Sequence, residues 1–248
     1  MKWYERSFGP DYLALYPHRD DAEASQDVAN LIALIAPPTD LPLLDLGCGA
    51  GRHLLALHRL GFEDLTGIDL SQDLLHAAAE RLSAAGADAI ELLRSDMRQI
   101  PHQSHFATIL SMFTSFGYFD SPDEDNRMLH GVHRALLPGG VFVLDTLNRQ
   151  WTLDHLIPRE NRAIGTLRLD ISRSITPDGA RVEKETRVSE TGMPERVYRE
   201  SVRMYAPDDL HRMLSDAGFD DVDLYGSLAG DPVDATSRRT VGVARRRA

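Results

Sequence analysis

Short apolar runs alternating with segments of helical period constrain this chain more than any other feature. Leu41–Leu46, Asp64–Asp69, Ala89–Arg94, Phe106–Met112 and Val141–Asp145 read as strands. Between them Arg52–Leu60, Leu74–Ala85 and Glu124–Leu137 read as helices, closed by Gly61, Gly86 and Pro138-Gly139-Gly140. Strands that are apolar along their whole length need cover on both faces, so this order predicts a parallel sheet with helices on each side. An earlier helix is expected at Asp21–Ile35, where Val28, Leu31, Ile32 and Ile35 recur at helical spacing before Pro37-Pro38. Residues 1–20 set Trp3, Tyr4, Phe8, Tyr12 and Tyr16 among glycine, proline and charges, an aromatic arm with no long periodic run.

Residues 162–205 break the rhythm. Leu167, Leu169 and Ile171 alternate with Arg168, Asp170 and Ser172, the pattern of a half-solvated antiparallel strand. Strands at Thr166–Ile175 and Arg181–Val188 flank the turn Thr176-Pro177-Asp178-Gly179, and Thr191-Gly192-Met193-Pro194 turns into a third at Arg196–Tyr205. This reads as an inserted antiparallel unit within one domain spanning 21–248, the insertion covering about 160–205. Pro207–Ala217 is then a helix stopped by Gly218, and Val222–Tyr225 and Thr240–Ala244 are closing strands.

The chain of 248 residues carries 38 acidic and 27 basic side chains, a formal charge of −11. Phosphate backbones reward a basic face, so this balance disfavours a nucleic-acid binder. No apolar run approaches the ~20 residues that span a bilayer, and the first twenty residues lack the apolar core of a secretory signal. A single cysteine, Cys48, excludes internal disulfides and fits a reducing cytoplasm. The arginines of the last eleven residues read as a solvated basic end.

The strongest local signal is Leu43-Leu44-Asp45-Leu46-Gly47-Cys48-Gly49-Ala50-Gly51-Arg52. A buried strand runs through D-x-G-x-G-x-G into a helix, a turn that lets a ligand lie against bare backbone and helix N–H groups. Its third glycine comes one residue too early for the dinucleotide pattern G-x-G-x-x-G. Asp69, ending the next strand, either caps the helix beginning near Ser71 or accepts hydrogen bonds from both hydroxyls of a ribose, and the glycine turn favours the ribose. Asp96 follows the third strand, placed to accept from an adenine amino group while Met97 packs on the ring. Phe113 to Phe119 follow the fourth strand, and Thr114, Ser115, Gly117 and Tyr118 are odd choices for plain core.

With these landmarks in order, the chain resembles the class I S-adenosylmethionine-dependent methyltransferases. Leu44 to Gly51 resemble the first motif, Gly67-Ile68-Asp69 the ribose acid and Ser95-Asp96-Met97 the adenine acid. Leu136 to Phe142 and Met213 to Phe219 resemble two later landmarks. The resemblance implies an α/β fold, a doubly wound, Rossmann-like sheet of seven strands with the last antiparallel, plus the β insertion. It implies S-adenosylmethionine as cofactor and S-adenosylhomocysteine as product. Asp45, Gly47, Gly49 and Gly51 would face the methionine end, Asp69 the ribose, Asp96 and Met97 the adenine, and Phe113 the ribose and transferring methyl, with Leu70 also touching the cofactor. By analogy with members whose aromatic arm serves as a lid, residues 1–20 would close the site, with Tyr12, Tyr16 and Arg19 touching the cofactor.

The segment Phe113–Phe119 and the insertion look closest to small-molecule members, the sugar N-methyltransferases and glycine N-methyltransferase-like enzymes. Methyl transfer to N or O of a small molecule is therefore expected, by a monomer or homodimer. Tyr118 is the candidate for orienting the acceptor, by its hydroxyl or its ring. Tyr4, Phe8 and Phe116 are candidate acceptor contacts, and Arg239 (or Arg238) a partner for an anionic acceptor. The histidine that some members carry at the place of Tyr118 is absent, so a base role does not carry over. His130 and His133 without a third ligand make a poor metal site, and no metal is expected. An RNA-modifying enzyme, a cofactor-binding protein without turnover and a member with non-methylating chemistry are the rival readings.

Overall fold

A computed structural model of the chain describes residues 2–16 and 21–248. The arm forms two short helices, α1 (Trp3–Ser7) and α2 (Tyr12–Leu15), ahead of α3 (Asp21–Ile35). The alternating region follows as β1 (Leu43–Leu46), α4 (Arg52–Arg59), β2 (Leu65–Asp69), α5 (Gln72–Ala84), β3 (Glu91–Arg94), β4 (Phe106–Ser111), α6 (Pro122–Ala135) and β5 (Leu136–Leu147). After α7 (Arg149–His155) come β6 (Arg159–Ile164), β7 (Leu167–Ile175), β8 (Arg181–Ser189) and β9 (Arg196–Arg203), then α8 (Pro207–Asp216), β10 (Asp221–Tyr225) and β11 (Arg239–Arg245).

Seven strands form one sheet in the order β10-β11-β5-β4-β1-β2-β3. All pairs among β1 to β5 are parallel, and β11 runs antiparallel to both β5 and β10, so the final strand reverses as expected. Period-2 alternation splits the core between the two faces. Leu44, Phe142 and Leu144 pack with Met128, Leu129 and Val132 of α6 and with Leu210 and Leu214 of α8. Leu43, Val141 and Val143 pack with Val28 and Leu31 of α3, Leu54 and Leu57 of α4, and Leu75 and Leu82 of α5. Strand order reverses at β1, which lies between β4 and β2, and a crevice opens there at the carboxyl ends of the strands.

Three sequence expectations change. Pro138-Gly139-Gly140 does not stop the chain before a strand: β5 begins at Leu136 and runs through it, with a register shift against β4 between Phe106 and Thr108. Gly140 sits there because a Cβ would lie 2.9 Å from the Leu137 carbonyl oxygen and 3.1 Å from that of Ala107. The second sheet, β6-β7-β8-β9, is an antiparallel meander that gains a strand, β6, which the sequence pattern did not reveal. Its buried Leu169, Ile171 and Val188 pack with Leu15 of α2. The basic C-terminus is structural: the Arg246 guanidinium donates to the carbonyl oxygens of His133 (3.2 Å), Arg134 (3.4 Å) and Leu136, closing the end of α6.

Candidate active site

The crevice at the strand ends encloses about 510 Å³, a size suited to a cofactor and a small acceptor. Its floor is the β1–α4 turn. Gly47 (φ +83°), Gly49 (φ +54°) and Gly51 (φ +74°) are all left-handed, and they serve different ends. A Cβ on Gly47 would lie 2.9 Å from Ser115 Oγ, so packing against the loop after β4 demands that glycine. Gly49 lines the cavity, and a Cβ there would meet no protein atom within 4 Å. No packing requirement accounts for it, and the open space over it is what a ligand laid on the turn would use. Gly51 stands at the start of α4 against Ala78 and lies outside the lining.

Asp69 lines the cavity at the end of β2, where its Oδ2 accepts from Gly49 N–H (2.9 Å) and its Oδ1 from Ser71 N–H (2.8 Å). It does not cap α5: Ser71 does, its Oγ accepting from Leu74 N–H at 3.2 Å. Each carboxylate oxygen keeps lone pairs for a second donor, which suits a vicinal diol. Burial pushes the Asp69 carboxyl above its usual range, and the N–H groups of Ser71, Gly49 and Leu70 work the other way. Asp45 lies buried in β1, outside the cavity lining, with Oδ2 unpartnered among the described residues. Burial raises its pKa to about 6, against the pull of His53 and Arg52. An orphaned buried carboxylate at the head of the turn fits a cationic ligand group. Burial also lifts the Cys48 thiol well above its ordinary range, which denies it a nucleophilic role.

Asp96 and Met97 line the same cavity. Asp96 Oδ1 accepts from the Arg98 backbone N–H (2.9 Å) and Nε (2.9 Å), and Arg98 Nη2 binds Oδ2. Burial works against its charge, but the Arg98 guanidinium and N–H outweigh it and hold the carboxyl below the usual range. Phe113 lines the cavity too, with left-handed φ of +56°.

The arm covers the opposite side. Trp3 Nε1 donates to the Tyr118 carbonyl oxygen (3.3 Å), Ser71 Oγ to that of Phe8 (2.6 Å), and Ser7 Oγ to that of Arg199 in β9 (2.7 Å). Phe8 stacks on Tyr118 at 5.5 Å between centroids and 24° between planes, and Trp3 meets the same ring edge-on at 5.0 Å. Tyr4, Phe8, Tyr12, Tyr16, Leu70 and Tyr118 all contribute to the lining. The Tyr16 hydroxyl also donates to Glu200 Oε1 (2.7 Å) in the second sheet.

Two expected acceptor contacts are corrected. Phe116 is buried in the core against Tyr205 rather than in the cavity. Arg239 also lies outside the lining: its Nε donates to Asp145 Oδ1 (2.6 Å) and its Nη2 pairs with Oδ2, so it answers a buried carboxylate instead of an anionic acceptor. Arg19 falls outside the described residues. Sequence reading missed Ser71, whose hydroxyl both caps α5 and ties down the arm; the step from a strand-end Asp to Ser before a helix was its signal. It also missed Arg52 and His53, which line the cavity from the first turn of α4.

A methyltransferase-domain family pattern matches residues 43–140. The dTDP-3-amino-3,4,6-trideoxy-alpha-D-glucopyranose N,N-dimethyltransferase of Streptomyces venezuelae is 30% identical over 189 residues, 73% of this chain and 75% of that protein. The CcbJ methyltransferase of Streptomyces caelestis superposes with a TM-score of 0.80 at 21% identity, over 100% of this chain and 99% of that one. CalS10, an amino pentose methyltransferase from Micromonospora echinaspora solved with S-adenosylmethionine bound, superposes with a TM-score of 0.69 at 24% identity, over 95% and 96% of the two chains.

Proposed function

The chain is a class I S-adenosylmethionine-dependent methyltransferase, and from that premise we propose that it methylates the amino group of a small, sugar-like acceptor. The observation that carries this reading is the aromatic roof: Phe8 and Tyr118, stacked on each other, line the one cavity whose floor is the glycine turn. Such a roof takes the apolar face of a compact ring, and the N,N-dimethyltransferase of a dTDP-amino sugar is a relative matched over most of both chains.

In this reading Asp45, Gly47 and Gly49 hold the methionine end of the cofactor, Asp69 and Leu70 the ribose, and Asp96 with Met97 the adenine. Tyr118 orients the acceptor, Tyr4 and Phe8 close over it, and residues 1–20 act as the lid. When bound, S-adenosylmethionine supplies a sulfonium methyl that needs no further activation. The chain's task is to align an attacking nitrogen with the carbon–sulfur axis and exclude water. A neutral amine attacks with its own lone pair, and the methylated ammonium then sheds its proton to solvent, so no residue need act as base before the displacement. We place the enzyme in the cytoplasm, as a monomer or homodimer.

The test is turnover by the purified full chain with a panel of dTDP-linked aminodeoxy sugars, their hydroxy analogues and RNA, read as S-adenosylhomocysteine released. Release that depends on the amino sugar is expected. Release with RNA alone, or equal release from hydroxy and amino sugars, overturns the proposal.

A further inference from the structure

Phe113 (φ +56°) and Thr114 (φ +63°), two consecutive non-glycine residues just beyond the end of β4, are both left-handed. Such residues are strained and persist only where their surroundings hold them. One residue holds both. The Asp145 side chain accepts the Phe113 N–H (Oδ2, 3.0 Å), and the Asp145 backbone carbonyl accepts the Thr114 N–H (2.9 Å). Asp145 is fully buried in β5, and Arg239 of the neighbouring β11 engages both of its oxygens. The Arg239 guanidinium also lies 4.5 Å from the centroid of the Phe113 ring, and that of Arg52 lies 3.9 Å from it.

We propose that Arg239 and Asp145 are positioning residues for the cofactor: their ion pair clamps the left-handed Phe113-Thr114 elbow, and the elbow sets the cavity wall against which the methyl-bearing end of S-adenosylmethionine rests. This deepens the proposed function and rests on the cavity being the cofactor site. The logic is one of relay. Without Arg239, Asp145 is an unpaired buried charge and cannot serve as a fixed acceptor. Without a fixed acceptor for the Phe113 N–H, the elbow relaxes toward ordinary backbone angles and the wall moves. Neither Asp145 nor Arg239 lines the cavity, so their effect on binding runs through the Phe113-Thr114 elbow.

Calorimetric affinity for S-adenosylhomocysteine and melting temperature, on the full chain, test the clamp. Asp145→Asn/Arg239→Met and Asp145→Leu/Arg239→Met remove the same two charges, but only asparagine keeps an oxygen that accepts the Phe113 N–H. The asparagine pair should bind within about threefold of native and the leucine pair about tenfold more weakly. Adding Thr114→Gly to the leucine pair should recover about fivefold, because glycine adopts a φ near +63° without restraint. Should the leucine pair fail to fold, Arg239→Lys, which keeps the charge and loses the two-point fork, gives the same reading: weaker binding that Thr114→Gly restores. Equal affinity of the asparagine and leucine pairs, or no recovery on adding Thr114→Gly in either background, overturns the clamp. Native protein that does not bind S-adenosylhomocysteine overturns both the clamp and the cofactor site, so the two failures are told apart.

Discussion

Asp69 and Tyr118 pose separable questions about the two ends of the cavity. Asp69 is spent neither on capping α5 nor on a cationic side chain; its partners are two backbone N–H groups. Replacing it with alanine removes the acceptors for a ribose diol and loosens the glycine turn. Affinity for S-adenosylhomocysteine should fall about 10–100-fold by calorimetry, the worth of hydrogen bonds to a charged group. Affinity unchanged within error would sink the ribose assignment. At the other end the stacked geometry of Phe8 on Tyr118 favours the ring over the hydroxyl in the proposed acceptor role. Tyr118→Phe should keep the acceptor KM within about threefold, while Tyr118→Ala should raise it about tenfold and leave the cofactor KM alone. A large effect of Tyr118→Phe would move the role to the hydroxyl. The place of Asp69 and Asp96 in the cavity lining was legible because each stands at or just past a strand end beside a recognisable turn, whereas Asp45 lies within β1 and outside that lining. The roles of Asp145 and Arg239 were not legible, since a β5 acid and a β11 arginine 94 positions apart meet only through antiparallel pairing.

One side chain of the second sheet brackets Tyr118. Arg181, at the start of β8, donates to the carbonyl oxygens of Gly117 (3.3 Å) and Phe119 (2.9 Å), which bracket Tyr118, and to Ser201 O (2.7 Å) and Oγ (2.9 Å) in β9. The Arg203 N–H adds a bond to Gly117 O at 2.7 Å. The insertion thus fixes the loop that carries Tyr118. Arg181→Met should raise the acceptor KM about three- to tenfold with the cofactor affinity unchanged, and lower stability by about 2–4 kcal/mol as buried carbonyls lose their donor. A shift confined to melting temperature would reduce Arg181 to a structural tie. At this scale the sequence pattern carried most of the sheet, because β1, β2 and β4 are short apolar runs bounded by turn residues and α3 spans the expected Asp21–Ile35. It failed where local rules compete with tertiary pairing. Pro138-Gly139-Gly140 carries turn chemistry yet sits in a bulged strand, and β6 (RENRAI) lacks any apolar alternation, its pairing supplied by β7.

Stability of the whole molecule should carry the mark of Asp125, an acid no motif singled out. It is fully buried on α6, its Oδ2 accepting from the Tyr205 hydroxyl (2.6 Å) and its Oδ1 unpartnered among the described residues. Burial raises its carboxyl from 3.8 to about 6, despite the opposing hydrogen bond from Tyr205 and the nearby Arg203 and Arg181. Between those two values the folded chain keeps a proton that the unfolded chain has lost, so stability falls as pH rises through this window. The integrated cost at pH 7 is about 3 kcal/mol, at 1.36 kcal/mol per unit. Asp125→Asn keeps an acceptor for Tyr205 and cannot ionise. Its stability relative to the native chain should therefore rise by about 2.4 kcal/mol between pH 4 and pH 7, or about 5–10 °C in melting temperature for a chain of this size. Asp45, raised to about 6 by the same cause, stays in both proteins and cancels from the comparison. A difference between the two melting curves that does not change with pH would mean that Asp125 is solvated or paired in the folded chain, and that burial does not hold its proton.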